Sequence, residues 1–365
     1  MVGRTLVRSA CAGLFALGLG TVAGNAHAIK LQADKDIYVD IRCLLQPQFQ
    51  LVDDRSLDPK FSTDFFLRRS RLILDGQVSK YVGFFFDTDM PNWGKGGKWT
   101  DVPFIVQDAV ATFNIHEAFK IDAGMLIVPF VHQFRQSAAN LHTLDYHSAL
   151  AKYPEGSNKT WRDMGAEVRG LLFDKHFDYR LMVSNGVDST EDDIPRFSGR
   201  LAYNVFDAEE GFFLGGTYLG KKKVLSIGGA FDIQPQAITA SADSRLYAAG
   251  GGDIFLDYPV GKDRVSGQLD VMYYGARDNP AEGWGFLFDF GYAFDKIEPV
   301  IAVDYYMPDG ADTFTNMMFG AHVGLNYWLL GHNANIKADL GFVKDAGRGF
   351  ERAAEILTLQ TQVLL

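Results

Sequence analysis

Two arginines, Arg69 and Arg71, stand two residues apart in the stretch from Asp64 to Gln77. At strand spacing their side chains share one face and lie about 7 Å apart. Guanidinium groups bind phosphate and carboxylate bidentately, and charged rings at a constriction set the ion selectivity of a pore. We therefore predict an anion-binding wall here. The alternative is that both arginines pair with acids on neighbouring strands and only stiffen the fold; the candidates are Asp75, Asp87 and Asp89.

The longest connection, residues 129–161, carries further cationic groups: Arg135, Lys152 and Lys159, with Arg162 directly after it. A connection of this length is usually functional or disordered. In a barrel its natural use is to fold inward and narrow the lumen, and an ordinary exposed loop is the alternative. Its three histidines lack metal-ligand spacing on a regular element, so they are expected to be solvated; they are His132, His142 and His147.

Strands must position these residues, because apolar and polar residues alternate along the chain. Around the arginines one face carries Phe66, Arg68, Ser70 and Leu72, and the other carries Leu67, Arg69, Arg71, Ile73 and Asp75. After a break at Ser79-Lys80, residues 81–90 repeat the scheme, which predicts an antiparallel hairpin. Arg68, on the apolar face, is expected to extend its charge to a membrane interface.

The same alternation recurs to the C-terminus. Large apolar residues oppose small polar ones, the inverse of a soluble barrel with an apolar interior, and this suits water inside and lipid outside. Seventeen candidate strands are found, but residues 208–222 break the rhythm of short and long connections and are interpreted as a turn-side insertion. We predict an all-β, membrane-spanning antiparallel β-barrel of about 16 strands.

The N-terminus has the features of an export signal. Arg4 and Arg8 precede an apolar run from Ala10 to Gly24, and Ala26-His27-Ala28 is a small-x-small cleavage pattern. This predicts a signal peptide over residues 1–28 and one barrel domain over residues 29–365. The net charge of −10 argues against nucleic-acid binding. An exported chain with this strand pattern points to the Gram-negative outer membrane.

Few residues suggest covalent or metal chemistry. After cleavage Cys43 would be the lone cysteine, which excludes a disulfide framework and a cysteine metal site. No Ser-His-Asp set stands out from the many serines and aspartates. We therefore predict no enzyme activity, no cofactor and no bound metal.

With these residues in view, the chain resembles the phosphate-selective porin O and P family of outer-membrane porins. The strand Phe66-Leu67-Arg68-Arg69-Ser70-Arg71-Leu72, running to Gly76, is similar to the family's arginine-rich second strand. Further matching pieces follow in order: Asp108-Ala109, Gly124 before Pro129-Phe130, Arg162-Asp163-Met164-Gly165, Asn185-Gly186 and Gly199-Arg200. The resemblance implies a homotrimeric 16-stranded pore, an inward third loop and passive passage of small anions. Its luminal arginines correspond to Arg69 and Arg71.

The leading hypothesis is a passive, water-filled pore narrowed by the 129–161 loop, in which the arginines face acids across the constriction. The polar faces carry more acids than bases, which leaves cation preference open. Three alternatives stay open. They are a non-conducting barrel that acts as a receptor or sleeve for a partner protein, an outer-membrane hydrolase with a Ser-His pair, and a soluble secreted sandwich.

Overall fold

The computed structural model describes residues 29–54, 56–57, 61–152, 161–187, 193–238, 244–275, 282–310 and 313–365. The predicted signal peptide and Lys159 lie outside these ranges. Within them the regular secondary structure is almost entirely β-strand. Helical turns occur at Lys95–Gly97, His132–Arg135, Ser148–Leu150, Thr313–Asn316 and Phe350–Arg352. No helix among the described residues is long and apolar enough to cross a membrane.

Seventeen strands make up the sheet. They are β1 Ile29–Asp34, β2 Ile37–Asp54, β3 Phe61–Ser79, β4 Val82–Asp89, β5 Ile105–His116, β6 Phe119–Ile127, β7 Arg162–Leu172, β8 Phe177–Ser184, β9 Arg196–Asn204, β10 Val224–Ile238, β11 Ser244–Val260, β12 Asp263–Gly275, β13 Gly283–Ala293, β14 Ile297–Pro308, β15 Met318–Tyr327, β16 Ala334–Lys344 and β17 Ala354–Leu364. β2 and β3 extend further into their connection than the sequence pattern indicated.

The strands close into a ring. Each strand from β2 to β17 pairs antiparallel with its neighbours in sequence, and β17 returns to pair with β2. β1 pairs with the first residues of β2. β9 and β10 pair directly, and residues 205–223 between them contain no strand. The predicted barrel of sixteen antiparallel strands is confirmed, as is the interpretation of residues 208–222 as an insertion.

Burial alternates along the strands in the predicted sense. In β14, Ile301 is 49% exposed, whereas the next residue, Ala302, is buried. The buried face of the ring carries most of the charged side chains of the strands, among them Asp270 and Asp289 at 0% exposure. Apolar side chains therefore cover the outside of the ring and polar ones face inward, the arrangement of membrane barrels.

A β-bulge in β3 corrects the predicted faces. Gln46 pairs with Arg69, but the next residue, Pro47, pairs with Leu67, so Arg68 is an extra residue. Proline cannot donate a ladder hydrogen bond, which suits a break in the register. The bulge reverses the alternation before it, so Phe66 is buried although the pattern placed it on the outer face. The predicted position of Arg68 at the membrane interface is also wrong, because its guanidinium contacts Asp145.

The pairing of β5 and β6 requires a glycine at position 124 of β6. Its φ is +126°, and a Cβ there would lie 2.1 Å from the carbonyl oxygen of Ala109 on β5. Any other residue would have to push the two strands apart. This is a physical reason for the glycine that stands shortly before Pro129-Phe130 in the sequence.

The exposed apolar face gives a direct test of membrane contact. Val323, in the middle of β15, is 63% exposed, and we expect Val323→Arg to lower the free energy of unfolding in lipid vesicles by about 2–4 kcal/mol. Guanidinium titration of the vesicle-inserted protein measures this. Val323→Leu, at the same position, should leave stability unchanged. Equal stability of the arginine and leucine variants would contradict a lipid-facing position.

Candidate pore constriction

The β6–β7 segment, residues 128–152, bonds to side chains of at least nine strands. Its partners lie on strands all round the ring: Gln46 of β2, Arg69 of β3, Glu167 of β7, Gln268 of β12, Asp289 of β13, Asp304 of β14, Asn326 of β15, Lys337 of β16 and Gln362 of β17. Both the side chains and the main chain of the segment take part. Lys337, for instance, donates from Nζ to the carbonyl oxygens of Leu141 and Thr143, at 2.6 and 2.8 Å.

All three histidines of the segment are buried, and each faces a carboxylate. His132 Nε2 lies 2.9 Å from Glu209 Oε1, His142 Nε2 lies 2.6 Å from Asp289 Oδ1, and His147 Nδ1 lies 2.6 Å from Asp304 Oδ1. The prediction that these histidines are solvated is therefore wrong. The inward wall carries acids that need partners, and the sequence alone does not show which wall residues lie opposite a loop.

Arg135 is an internal anchor. It is 0% exposed, and its Nη1 donates to the carbonyl oxygen of Ile127 at 2.6 Å and lies 3.2 Å from Glu167 Oε2. Burial lowers the pKa of Arg135 to about 10, although Glu167 opposes this effect. The predicted anion-binding role would require an exposed guanidinium, and here all of its surface is covered by the protein.

Asp145 joins the segment to the arginines of β3. Its two oxygens accept hydrogen bonds from Arg68 Nε and Arg69 Nη2, and Arg69 also donates to Gln46 Oε1 at 2.9 Å. Burial alone would raise the pKa of Asp145, but the two guanidinium groups outweigh it and hold this pKa below its usual range. The bulge makes the pairing feasible, because it turns two successive arginines towards one carboxylate.

The other predicted residues of the wall are also ion-paired. Arg71 bonds to Asp87 at 3.2 Å and to Asp89 at 3.0 Å, as the stiffening alternative expected. Arg162, the first residue of β7, donates two hydrogen bonds to the carboxylate of Asp108 in a bidentate contact. Asp75 lies apart from this group and contacts Arg42 at 3.5 Å. The structure thus brings Arg69, Arg71, Asp87 and Asp89 together near Asp145.

Lys152 lies on a different side of the segment. Its Nζ is 4.1 Å from the centroid of the Tyr306 ring and 3.4 Å from Met318 Sδ. Lys152 therefore lies away from the arginines of β3, and the structure does not bring it to Arg69 or Arg71.

A second connection meets the first. The β9–β10 segment, residues 205–223, places Leu214 beside the β6–β7 segment: Leu214 N donates to Arg135 O at 2.9 Å, and Ser137 N donates to Leu214 O at 3.0 Å. Phe212 O accepts from Arg135 Nη2 at 2.8 Å. The sequence predicted an insertion here, but its contact with a loop from the opposite end of the barrel was missed.

Apolar packing also holds the β6–β7 segment. Its Phe130, Val131, Phe134 and Leu150 form a buried cluster with wall residues that include Tyr247, Met272, Tyr274, Leu287 and Tyr306. Gly251 of β11 makes room for it, because a Cβ there would lie 2.6 Å from Val131 Cγ1. The expectation of a uniformly polar inner face is therefore wrong in this region. A strand with apolar residues at successive positions, as at Phe286-Leu287-Phe288, is the sequence signal that could have predicted apolar side chains on the inner face.

The fold can be compared with solved structures. An anion-selective porin from Comamonas acidovorans aligns with a TM-score of 0.62 at 12% identity, covering 90% of this chain and 99% of that chain. The outer-membrane channel DcaP of Acinetobacter baumannii aligns at 0.58 and 12% identity, covering 93% and 100%. The trimer form of OmpT, an outer-membrane protein of Vibrio cholerae, aligns at 0.56 and 11%, covering 90% and 99%. The fold is that of the outer-membrane porins.

Comparison at the level of sequence gives no family. No protein-family model and no curated protein sequence matches the chain significantly. The resemblance to the phosphate-selective porin O and P family therefore stays a prediction.

Raising the pH should loosen the β6–β7 segment. Burial by itself lowers the pKa of His142, but Asp289 and Glu298, the latter also paired with Arg264, raise it from 6.5 to about 10. Because the pKa is higher in the folded segment, this pair stabilises it fully below pH 6.5 and loses that contribution as the pH rises towards 10. Proteinase K digestion with mass spectrometry should show cleavage within residues 128–152 at pH 10 and protection at pH 7.

The matched variant is His142→Gln, which should be cleaved there at both pH values. Circular dichroism at each pH verifies that the barrel stays folded. Equal protection of the wild-type segment at pH 7 and pH 10 would contradict the assigned role of His142.

Proposed function

We propose that this chain is an outer-membrane porin, a channel through which small hydrophilic solutes diffuse passively. The observation that carries the proposal is the β6–β7 segment, whose partners belong to at least nine strands of a closed ring. A segment bonded to strands on all sides must lie across the ring, so we infer that it narrows the lumen. The polar inward face and the exposed apolar outer face support a water-filled interior within lipid.

We propose that the fixed charges of the narrow region nearly balance one another. Arg68, Arg69 and Arg71 line one side, and Asp145, Asp87 and Asp89 neutralise them. Paired fixed charges of this kind keep ion preference weak, because neither sign is in large excess. The proposed pore thus sorts solutes mainly by size.

For the solute we propose small anions, with phosphate as the first to test. Two observations support this: the resemblance to the phosphate-selective family, and the fold shared with a porin described as anion-selective. The described arginines of the wall are compensated by carboxylates, so the preference should be slight. Arg135 and Arg162 act as anchors of the segment and of β7 in this proposal.

We also propose a Gram-negative outer-membrane location and a homotrimeric assembly. The fold and the predicted signal peptide over residues 1–28 support the location, and the trimer form of the structurally similar OmpT supports the assembly. Catalysis and a cofactor are not part of the proposal. The described partners of the segment's histidines are carboxylates and an amide rather than a serine hydroxyl.

A second candidate is a barrel that does not conduct and instead serves as a receptor or sleeve for a partner protein. The crowding of the interior favours it, since inward side chains such as Asp270, Asp289 and Glu298 are 0% exposed. The β6–β7 and β9–β10 segments also contact each other, through Arg135, Ser137 and Leu214. Conductance measurements separate the two candidates.

Substitution of Asp145 should change both the conductance and the selectivity of the proposed pore. Asp145→Asn removes the carboxylate that Arg68 and Arg69 share, so it frees two cations and loosens the segment. In planar bilayers we expect larger conductance steps than in the wild type and a reversal potential, in a KCl gradient, shifted towards anions.

Arg71→Gln is the matched variant with the opposite change in charge. It leaves Asp87 and Asp89 uncompensated and should shift the reversal potential towards cations. Asp101→Asn, at an exposed loop position, should change neither quantity. Conductance steps with identical reversal potentials in all variants would refute the constriction, and no steps from any folded protein would favour the sleeve.

A further inference from the structure

Three side chains from different elements converge beside the β6–β7 segment. They are His147 of the segment, Asp304 of β14 and His322 of β15, and one potential ligand atom of each lies within 4.8 Å of the others. His147 Nδ1 is 2.6 Å from Asp304 Oδ1. The two imidazole rings meet edge to face with their centroids 5.8 Å apart. Nothing in the proposed pore function requires two histidines at this place.

His147 carries an unused nitrogen. Its side chain is 7% exposed, and its Nε2 is buried without a hydrogen-bond partner among the described residues. A buried polar atom of this kind is unfavourable unless a ligand satisfies it. Together with His322 and Asp339, His147 borders a cavity of about 70 Å³, larger than the roughly 30 Å³ that one water occupies in the liquid.

The surroundings resemble those of a metal-binding histidine. Asp339 Oδ1 lies 3.0 Å from His322 Nδ1, and metal-bound histidines characteristically bond their second ring nitrogen to a carboxylate in this way. The facing strand positions are glycines. A Cβ on Gly320 would lie 2.5 Å from Asp304 Oδ1, and one on Gly341 would lie 2.9 Å from His322 Cε1, so the absence of side chains there leaves room for both groups.

We propose that His147, His322 and Asp304 form a binding site for a divalent transition-metal ion, with Asp339 as the residue that positions His322. Two imidazoles and a carboxylate are a donor set that suits zinc. Ligand atoms around a tetrahedral zinc lie roughly 3.3 Å apart, so small side-chain movements would have to widen the 2.6 Å contact of His147 with Asp304 and shorten the longer spacings, which reach up to 4.8 Å. Because His147 belongs to the segment and the other groups belong to the wall, a bound ion would fasten the segment to β14 and β15.

Zinc binding can be measured without any conductance. Tag-free protein in detergent is stripped with EDTA, exchanged into chelator-free buffer and titrated with ZnCl₂ in a calorimeter. We expect one ion per chain. Co²⁺ in place of Zn²⁺ should give the intense visible bands of a tetrahedral site, a signal that a purely structural His–Asp pair does not produce.

His147→Gln and His322→Gln should abolish the calorimetric binding and the Co²⁺ bands. Asp339→Asn, which keeps all three ligands, should weaken zinc binding by about 10- to 100-fold. His116→Gln removes an exposed histidine at the end of β5 and is the matched control, with binding unchanged. Circular dichroism verifies the fold of each variant.

Absence of zinc binding to the folded wild-type protein would overturn the proposal. So would binding that persists unchanged in both His147→Gln and His322→Gln. These outcomes are independent of the pore proposal, because a non-conducting barrel could hold the ion and a conducting one could lack it.

Discussion

The structure depends on one electrostatic constraint: charges on the inward face of a closed ring must be paired or solvated. Burying an unpaired carboxylate or guanidinium is costly, and removing one partner of a buried pair typically costs about 3–5 kcal/mol. Some wall charges pair between neighbouring strands, as Arg196 does with Asp232 and Arg169 with Asp122. Others, such as Asp289 and Glu167, meet side chains of the β6–β7 segment. The wall thereby fixes the position of the segment, and the segment neutralises the wall.

The same contacts give the interior its asymmetry. At β3 the segment meets the ion-paired Arg68 and Arg69, whereas at β11 to β14 the aromatic and aliphatic cluster lies beside the contacts of His142 with Asp289 and of His147 with Asp304. The segment is therefore held mainly by ion pairs at β3 and by charged contacts together with apolar packing at β11 to β14. Salt and pH act mainly on the charged contacts, so both sides of the proposed constriction respond to solution conditions, and the apolar packing at β11 to β14 is the part that does not.

The sequence predicted the barrel well because alternation is a local signal that repeats in nearly every strand. It placed Arg71 correctly beside Asp87 and Asp89, since these residues lie on adjacent strands of one hairpin. It failed where the structure depends on distant pairs. His142 and Asp289 are 147 residues apart in the chain, and no local pattern links them. The faces of Phe66 and Arg68 were predicted wrongly for another reason. The β-bulge that reverses them depends on the neighbouring strand, β2, and is not visible in the alternation of β3 itself.

The central claim is that the β6–β7 segment lies across the lumen and limits the flow through it. The most direct test replaces residues 131–150 with a short Gly-Ser linker and compares single-channel conductance with the wild type in the same KCl solution. The account predicts a folded barrel whose conductance is several-fold larger and whose open level fluctuates less. A folded barrel with unchanged conductance would contradict the claim, because the segment would then not be the narrow point of the pore.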